Sequence, residues 1–134
     1  MKYGCVILAD SHLGMLGGVH SLLEASFESV VMVSDEHSLV EVVEKIHPCL
    51  LVVDLSLPDS GEANVAKRLH NAYPNIPLII LSVHDEPIVA DEVRTAGAAG
   101  FVLKRNAGTE LLSVVRKVLE IEFTARGPRQ NNLA

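Results

Sequence analysis

The sequence predicts an α/β fold with a parallel sheet, and two patterns carry that reading. Five short apolar runs recur along the chain, and stretches of helical spacing lie between them. The runs are continuous rather than alternating, as in strands covered on both faces. A fivefold strand–helix alternation of this kind builds a parallel sheet with right-handed crossovers.

The elements follow in order. CVILA at 5–9 is the first strand, and Leu13, Leu16, Val19, Leu22 and Leu23 form the first helical stripe. VVMV at 30–33 is the second strand, followed by a stripe of Leu39, Val40, Val43 and Ile46 that Pro48 closes. CLLVV at 49–53 is the third, with Val65, Ala66 and Leu69 behind it. Pro77 introduces LIIL at 78–81, and Val89, Val93 and Ala96 form the next stripe, with Gly97 where a helix C-terminal cap is expected. FVL at 101–103 is the last strand, and the clearest stripe follows it: Leu111, Leu112, Val115, Val118 and Leu119. After Phe123 the pattern stops, and TARGPRQNNLA at 124–134 reads as a polar linker or tail.

Composition sets outer limits. At 134 residues the chain is expected to form one domain, and with hydrophobic residues near half and no Trp its core must be aliphatic. A net charge of −6 argues against nucleic-acid binding by this chain itself, though not against a basic protein partner. Cys5 and Cys49 each open an apolar run, so they are expected as buried thiols in a reducing compartment rather than a disulfide or a zinc site. No apolar stretch approaches the roughly 20 residues that cross a bilayer. MKYGCVILAD meets an acidic residue too early for a secretion signal, so the expected location is cytoplasmic and off the membrane.

In an open parallel sheet, ligands bind beyond the carboxyl ends of the strands, where strand order reverses. Asp10 and Ser11 follow the first run, Asp54 the third, Ser82 the fourth and Lys104 the fifth. Any one of them is explained by the ordinary preference of polar residues for strand ends. All of them in this order point to a site. If the first and third strands are neighbours, about 4.8 Å apart, Asp10 and Asp54 can share one cation. A carboxylate can attack phosphorus to form an acyl phosphate. It needs Mg²⁺ to offset the incoming charge, and a cation and a hydroxyl for the remaining phosphoryl oxygens. Asp54 as nucleophile, Asp10 as metal ligand, Lys104 as cation and Ser82 as donor supply those parts.

VILADSH, LLVVDLSLP, LIILSVHDE and GAAGFVLKR resemble the motifs of response-regulator receiver domains, the CheY-like fold, over roughly residues 3–123. HLGMLGGVHSLLE and SVHDE…AGAAGFVLK are similar to the NarL/FixJ (LuxR-type) branch in particular. The resemblance implies a flavodoxin-like, three-layer α/β/α domain over 1–123 with a five-stranded sheet in the order 2-1-3-4-5. It implies Asp54 as phosphoacceptor, Lys104 as phosphoryl contact, and Mg²⁺ held by Asp10, Asp54 and the Ser56 backbone carbonyl. Ser82 becomes the switch hydroxyl and Phe101 the aromatic that turns inward with it. The resemblance also implies that Ser56 and His84, two residues beyond Asp54 and Ser82, border the phosphoryl group and affect its lifetime; the other reading of His84 is an exposed loop histidine beside Asp85 and Glu86.

The implied partner is a sensor histidine kinase. Phosphorylation then alters the face of the fourth helix, fifth strand and fifth helix, which mediates homodimerisation or contact with an output domain. DNA is reached only through a helix-turn-helix output that 124–134 is too short to form, so the chain reads as an excised or stand-alone receiver.

Two departures from the family pattern stand out. Ser11 occupies the position of a second acidic residue, leaving two carboxylates where three are usual. It can hold the metal only through water, which weakens Mg²⁺ binding. LPDSG at 57–61 is one residue shorter than usual between its proline and glycine. Other motifs are weaker. GMLGG at 14–18 lacks the ending of a phosphate loop and reads as close helix packing. The six histidines show no ligand spacing, so none is expected at a metal. No serine sits in a nucleophile elbow. Two other classes compete with the signalling reading. One is a receiver-like module that works by protein contact alone, favoured by Ser11. The other is an aspartyl-phosphate phosphatase, disfavoured because Ser56 stands where that chemistry commonly uses a second Asp.

Overall fold

The computed structural model describes residues 2–12, 17–57 and 64–126. Five parallel strands form one sheet: β1 (Tyr3–Ala9), β2 (Phe27–Val33), β3 (Leu50–Asp54), β4 (Leu78–Ser82) and β5 (Gly100–Leu103). Their spatial order is β2-β1-β3-β4-β5, as the sequence implies. Helices α1 (Gly17–Ser26), α2 (Glu36–Ile46), α3 (Val65–Ala72), α4 (Pro87–Thr95) and α5 (Ala107–Arg126) alternate with them, and a 3-10 turn at Lys104–Asn106 leads into α5.

The apolar runs are continuous because the central strands are covered twice. All five residues of β3 and of β4 are buried, whereas the edge strands β2 and β5 carry partly exposed positions. One core lies between the sheet and α1 with α5, through Val19, Leu23, Leu111, Val115 and Val118 against Val6, Leu8, Val52 and Leu81. The other lies under α2, α3 and α4, where Leu39, Val43, Leu69 and Val93 pack on Ile7, Leu51 and Ile80. Each fully buried aliphatic side chain contributes about 1.5–3 kcal/mol by leaving water.

Local chemistry sets the ends of the helices. Asp35 caps α2 by accepting from the Ser38 N–H at 2.7 Å, and Asn64 caps α3 by accepting from Lys67 N at 2.9 Å. At the far end of α2, His47 takes a left-handed conformation (φ 48°) immediately before Pro48, which ends the helix as expected. The backbone bond from Ser38 holds the Asp35 carboxyl below the usual carboxylate range. Its contribution to stability is therefore in place above the ordinary carboxylate pKa and is lost as pH falls through the lowered one. Asp35→Asn keeps the cap without the titration. Urea unfolding between pH 2 and about 5 is expected to show a shallower acid limb for the variant.

Several boundaries and burials differ from the sequence reading. The second strand starts at Phe27, three residues before VVMV, because the buried Phe27 ring packs on Tyr3 at 5.3 Å and draws the segment into the sheet. As a result α1 ends at Ser26 and β2 begins at the next residue. Helix α5 continues past Phe123 to Arg126. Ile46, placed on the buried stripe of α2, is 39% exposed at the last position of the helix. Cys5 and Cys49 are half-buried rather than buried and form no disulfide, the Cys49 thiol donating to the Cys5 carbonyl at 3.3 Å. Leu13, Leu16, most of GMLGG and the loop from Pro58 to Gly61 lie outside the described residues.

Candidate active site

Strand order reverses between β1 and β3, and the polar residues collect at their carboxyl ends. Ala9 pairs with Val53 across these strands, so Asp10 and Asp54 take the next facing positions. Both are buried, Asp10 completely and Asp54 to 2% exposure. Such charges are costly unless neutralised. Lys104 neutralises them: placed just beyond β5 by the 3-10 turn, its Nζ lies 2.7 Å from Asp10 Oδ2 and 3.1 Å from Asp54 Oδ2. Burial opposes the ammonium charge, but hydrogen bonds to Asp10 and Asp54 outweigh it and raise the Lys104 pKa above the ordinary lysine value.

The remaining carboxylate atoms have distinct surroundings. Asp10 Oδ1 accepts from the His12 backbone N–H at 2.7 Å. Asp54 Oδ1 accepts from the Ser56 N–H at 3.1 Å, and the Ser56 hydroxyl lies 3.1 and 3.0 Å from the two Asp54 oxygens. Ser56 thus covers Asp54 directly. Ser82, 1% exposed at the end of β4, accepts from the His84 N–H at 2.9 Å and donates to the His84 carbonyl at 3.3 Å. His84 meets the site through its backbone, and the residue itself is exposed. Phe101 is half-buried in β5 against the core beneath α2, α3 and α4. Asp85 and Arg105 pair at 3.0 Å across the loops that follow β4 and β5, and that hydrogen bond lowers the Asp85 pKa.

The donor set fits a divalent cation. Asp10 Oδ2 is buried, and among the described residues the group that meets it is the Lys104 ammonium at 2.7 Å. Two carboxylates, a backbone carbonyl and water are the ligands that a hard cation such as Mg²⁺ takes. One histidine stands beside these carboxylates. His12 joins Asp10 and Asp54, each residue offering one ligand atom and all of these within 4.8 Å of one another. Its position two residues after Asp10 brings it there, and a single histidine beside a strand-end carboxylate has no paired-histidine spacing to reveal it in sequence. Ser11, expected at the metal through water, has its hydroxyl 3.1 Å from His12 Nδ1.

Comparison with known proteins agrees with this architecture. The response regulator receiver domain family matches residues 6–116. The transcriptional regulatory protein DegU of Brevibacillus brevis is 29% identical over 117 residues, covering 86% of this chain and 50% of that protein. The probable transcriptional regulatory protein NarL of Mycobacterium tuberculosis is 30% identical over 112 residues, covering 82% and 52%. This chain therefore spans about half the length of these curated relatives. Among solved structures, the isolated receiver domain of RcsB from Salmonella enterica, with the phosphomimetic BeF₃⁻, aligns at a TM-score of 0.79 and 25% identity, covering 89% of this chain and 90% of that one. The receiver domain of the putative regulator NarL from Mycobacterium tuberculosis aligns at 0.71 and 27%, covering 91% and 98%. By fold, by carboxylate-edge geometry and by sequence, this chain belongs to the response-regulator receiver family, among relatives of the NarL and DegU type.

Proposed function

We propose that this chain is a phosphoacceptor whose Asp54 takes a phosphoryl group from a sensor histidine kinase. The observation that carries this reading is the convergence of Asp10, Asp54 and Lys104 at one sheet edge, with Lys104 Nζ at 2.7 and 3.1 Å from the two carboxylates. Asp54 attacks phosphorus, and the phosphoryl group leaves the kinase for the carboxylate oxygen. Lys104 and Ser82 meet the phosphoryl oxygens. Mg²⁺ would be held by Asp10, Asp54 and the Ser56 carbonyl, with Ser11 through water, and supplies positive charge against the incoming phosphoryl group. The Ser56 hydroxyl, now on both Asp54 oxygens, moves aside on phosphorylation and then borders the group with His84.

As Ser82 turns toward the phosphoryl group, Phe101 turns inward and changes the face of α4, β5 and α5. A small displacement at the site thereby biases a two-state surface. That surface serves a second copy or an output unit. The relatives are transcriptional regulators about twice this length, so DNA contact belongs to a helix-turn-helix output outside this chain, joined to a receiver unit that runs through α5 to Arg126. The setting is the cytoplasm, and no helix among the described residues is long and apolar enough to cross a membrane.

Intact-mass measurement after acetyl phosphate treatment across a Mg²⁺ titration tests this. One phosphoryl adduct is expected, dependent on Mg²⁺ and absent in Asp54→Asn. No adduct and no beryllofluoride uptake by folded protein at high Mg²⁺ would replace this reading with the contact-only module.

A further inference from the structure

We propose that His12 is a third protein ligand of the Asp10–Asp54 cation site and that it tunes the site toward first-row transition cations over Mg²⁺. This rests on the reading above that the carboxylate edge binds a divalent cation. Asp10 presents its two oxygens in different directions. Oδ2 faces the Lys104 ammonium at 2.7 Å, while Oδ1 takes the His12 backbone N–H at 2.7 Å and lies 3.7 Å from His12 Nδ1. The cation edge and the lysine edge of the carboxylate are therefore separate.

Two donors that each sit about 2.1 Å from one metal ion lie roughly 3–4 Å apart. The Asp10–His12 separation is already in that range, and the full set spans no more than 4.8 Å. The His12 side chain is 64% exposed, so the ring turns into the site without disturbing the core. Its backbone is fixed by the bond to Asp10, and the Ser11 hydroxyl at 3.1 Å from Nδ1 holds the ring at the mouth of the site. Asp10 gives the independent indication of a ligand, being a wholly buried carboxylate whose Oδ2 meets only the Lys104 ammonium among the described residues.

The ligand chemistry then determines selectivity. With Ser11 in place of an acid, the site offers two carboxylates, which leaves a hard cation one charged oxygen short. An imidazole nitrogen adds little for Mg²⁺ but is a favoured ligand for Zn²⁺ and its first-row neighbours. The serine and the histidine therefore act in the same direction, weakening Mg²⁺ and strengthening the softer ion.

Calorimetric titration of the whole chain with Mg²⁺ and with Zn²⁺ tests this in wild type, His12→Ala and the surface control His37→Ala. His12→Ala is expected to weaken Zn²⁺ binding about tenfold or more while moving Mg²⁺ affinity by less than about twofold. His37→Ala is expected to change neither. In NMR spectra, Zn²⁺ should shift one histidine ring resonance that is missing from His12→Ala. Unchanged Zn²⁺ affinity in His12→Ala, or equal weakening of both ions, overturns the proposal. If wild type still takes up beryllofluoride with Mg²⁺ in that case, the phosphoacceptor reading stands without it. Wild type that binds neither ion at a single site overturns both.

Discussion

Lys104→Ala is expected to lose about 2 kcal/mol or more of stability at neutral pH, and with it the capacity to retain a phosphoryl group or beryllofluoride. Removing the ammonium leaves two buried carboxylates on adjacent strands without the cation that now lies 2.7 and 3.1 Å from them. The partly open position of the lysine, 18% exposed, keeps the loss below that of a fully enclosed pair. A divalent cation should also stabilise the variant more than it stabilises wild type, since it supplies the missing charge. Urea unfolding at pH 7, with and without Mg²⁺, reads both effects. Equal deficits under every condition would mean that Lys104 acts through packing instead of charge.

Gly97→Ala is expected to be the most damaging single methyl group that can be added to the described backbone, costing about 2–4 kcal/mol. Gly97 has φ +117°, outside the range that side-chain-bearing residues ordinarily adopt. A Cβ there would also come within 2.3 Å of the His70 ring and 2.8 Å of its Cβ. The neighbour is the root of a side chain held on α3, so it cannot simply swing away. The ring contact is isolated in His70→Ala/Gly97→Ala. Truncating His70 removes the ring contact at 2.3 Å but leaves its Cβ at 2.8 Å and the backbone strain, so the double variant should recover only part of the loss over His70→Ala alone. Full recovery would show that the ring contact is the whole cost, and no recovery would assign the effect to φ together with the remaining Cβ contact.

The order of elements was legible because strands buried on both faces leave continuous apolar runs, as β3 and β4 do. The site was legible because Asp10, Asp54, Ser82 and Lys104 stand at the ends of runs, and a parallel sheet brings such ends to one edge. Other features depended on information that pattern does not carry. The early start of β2 depends on an aromatic contact between Phe27 and Tyr3, a pairing of residues 24 positions apart that periodicity cannot express. The exposure of Ile46 reflects its place in the last turn of α2, where the left-handed His47 turns the chain away. The proximity of His12 depends on a backbone hydrogen bond to Asp10 that folds the chain back over the strand end. Sequence pattern reports faces and periods, and it reports local hydrogen bonds only where a known motif encodes them.

The direct passage from Ser26 into Phe27 leaves no connecting residue between α1 and β2. A helix joined to a strand without a connecting residue has no slack, so any rotation of α1 is delivered to β2 as a change of strand position. The anchor of that joint, Phe27, is 1% exposed and holds the corner in the core beneath α1 and α5. For an engineer the corollary is positional. The stretch around Pro74 and Asn75, exposed between α3 and β4, has room to accept an inserted segment. The Ser26–Phe27 junction does not.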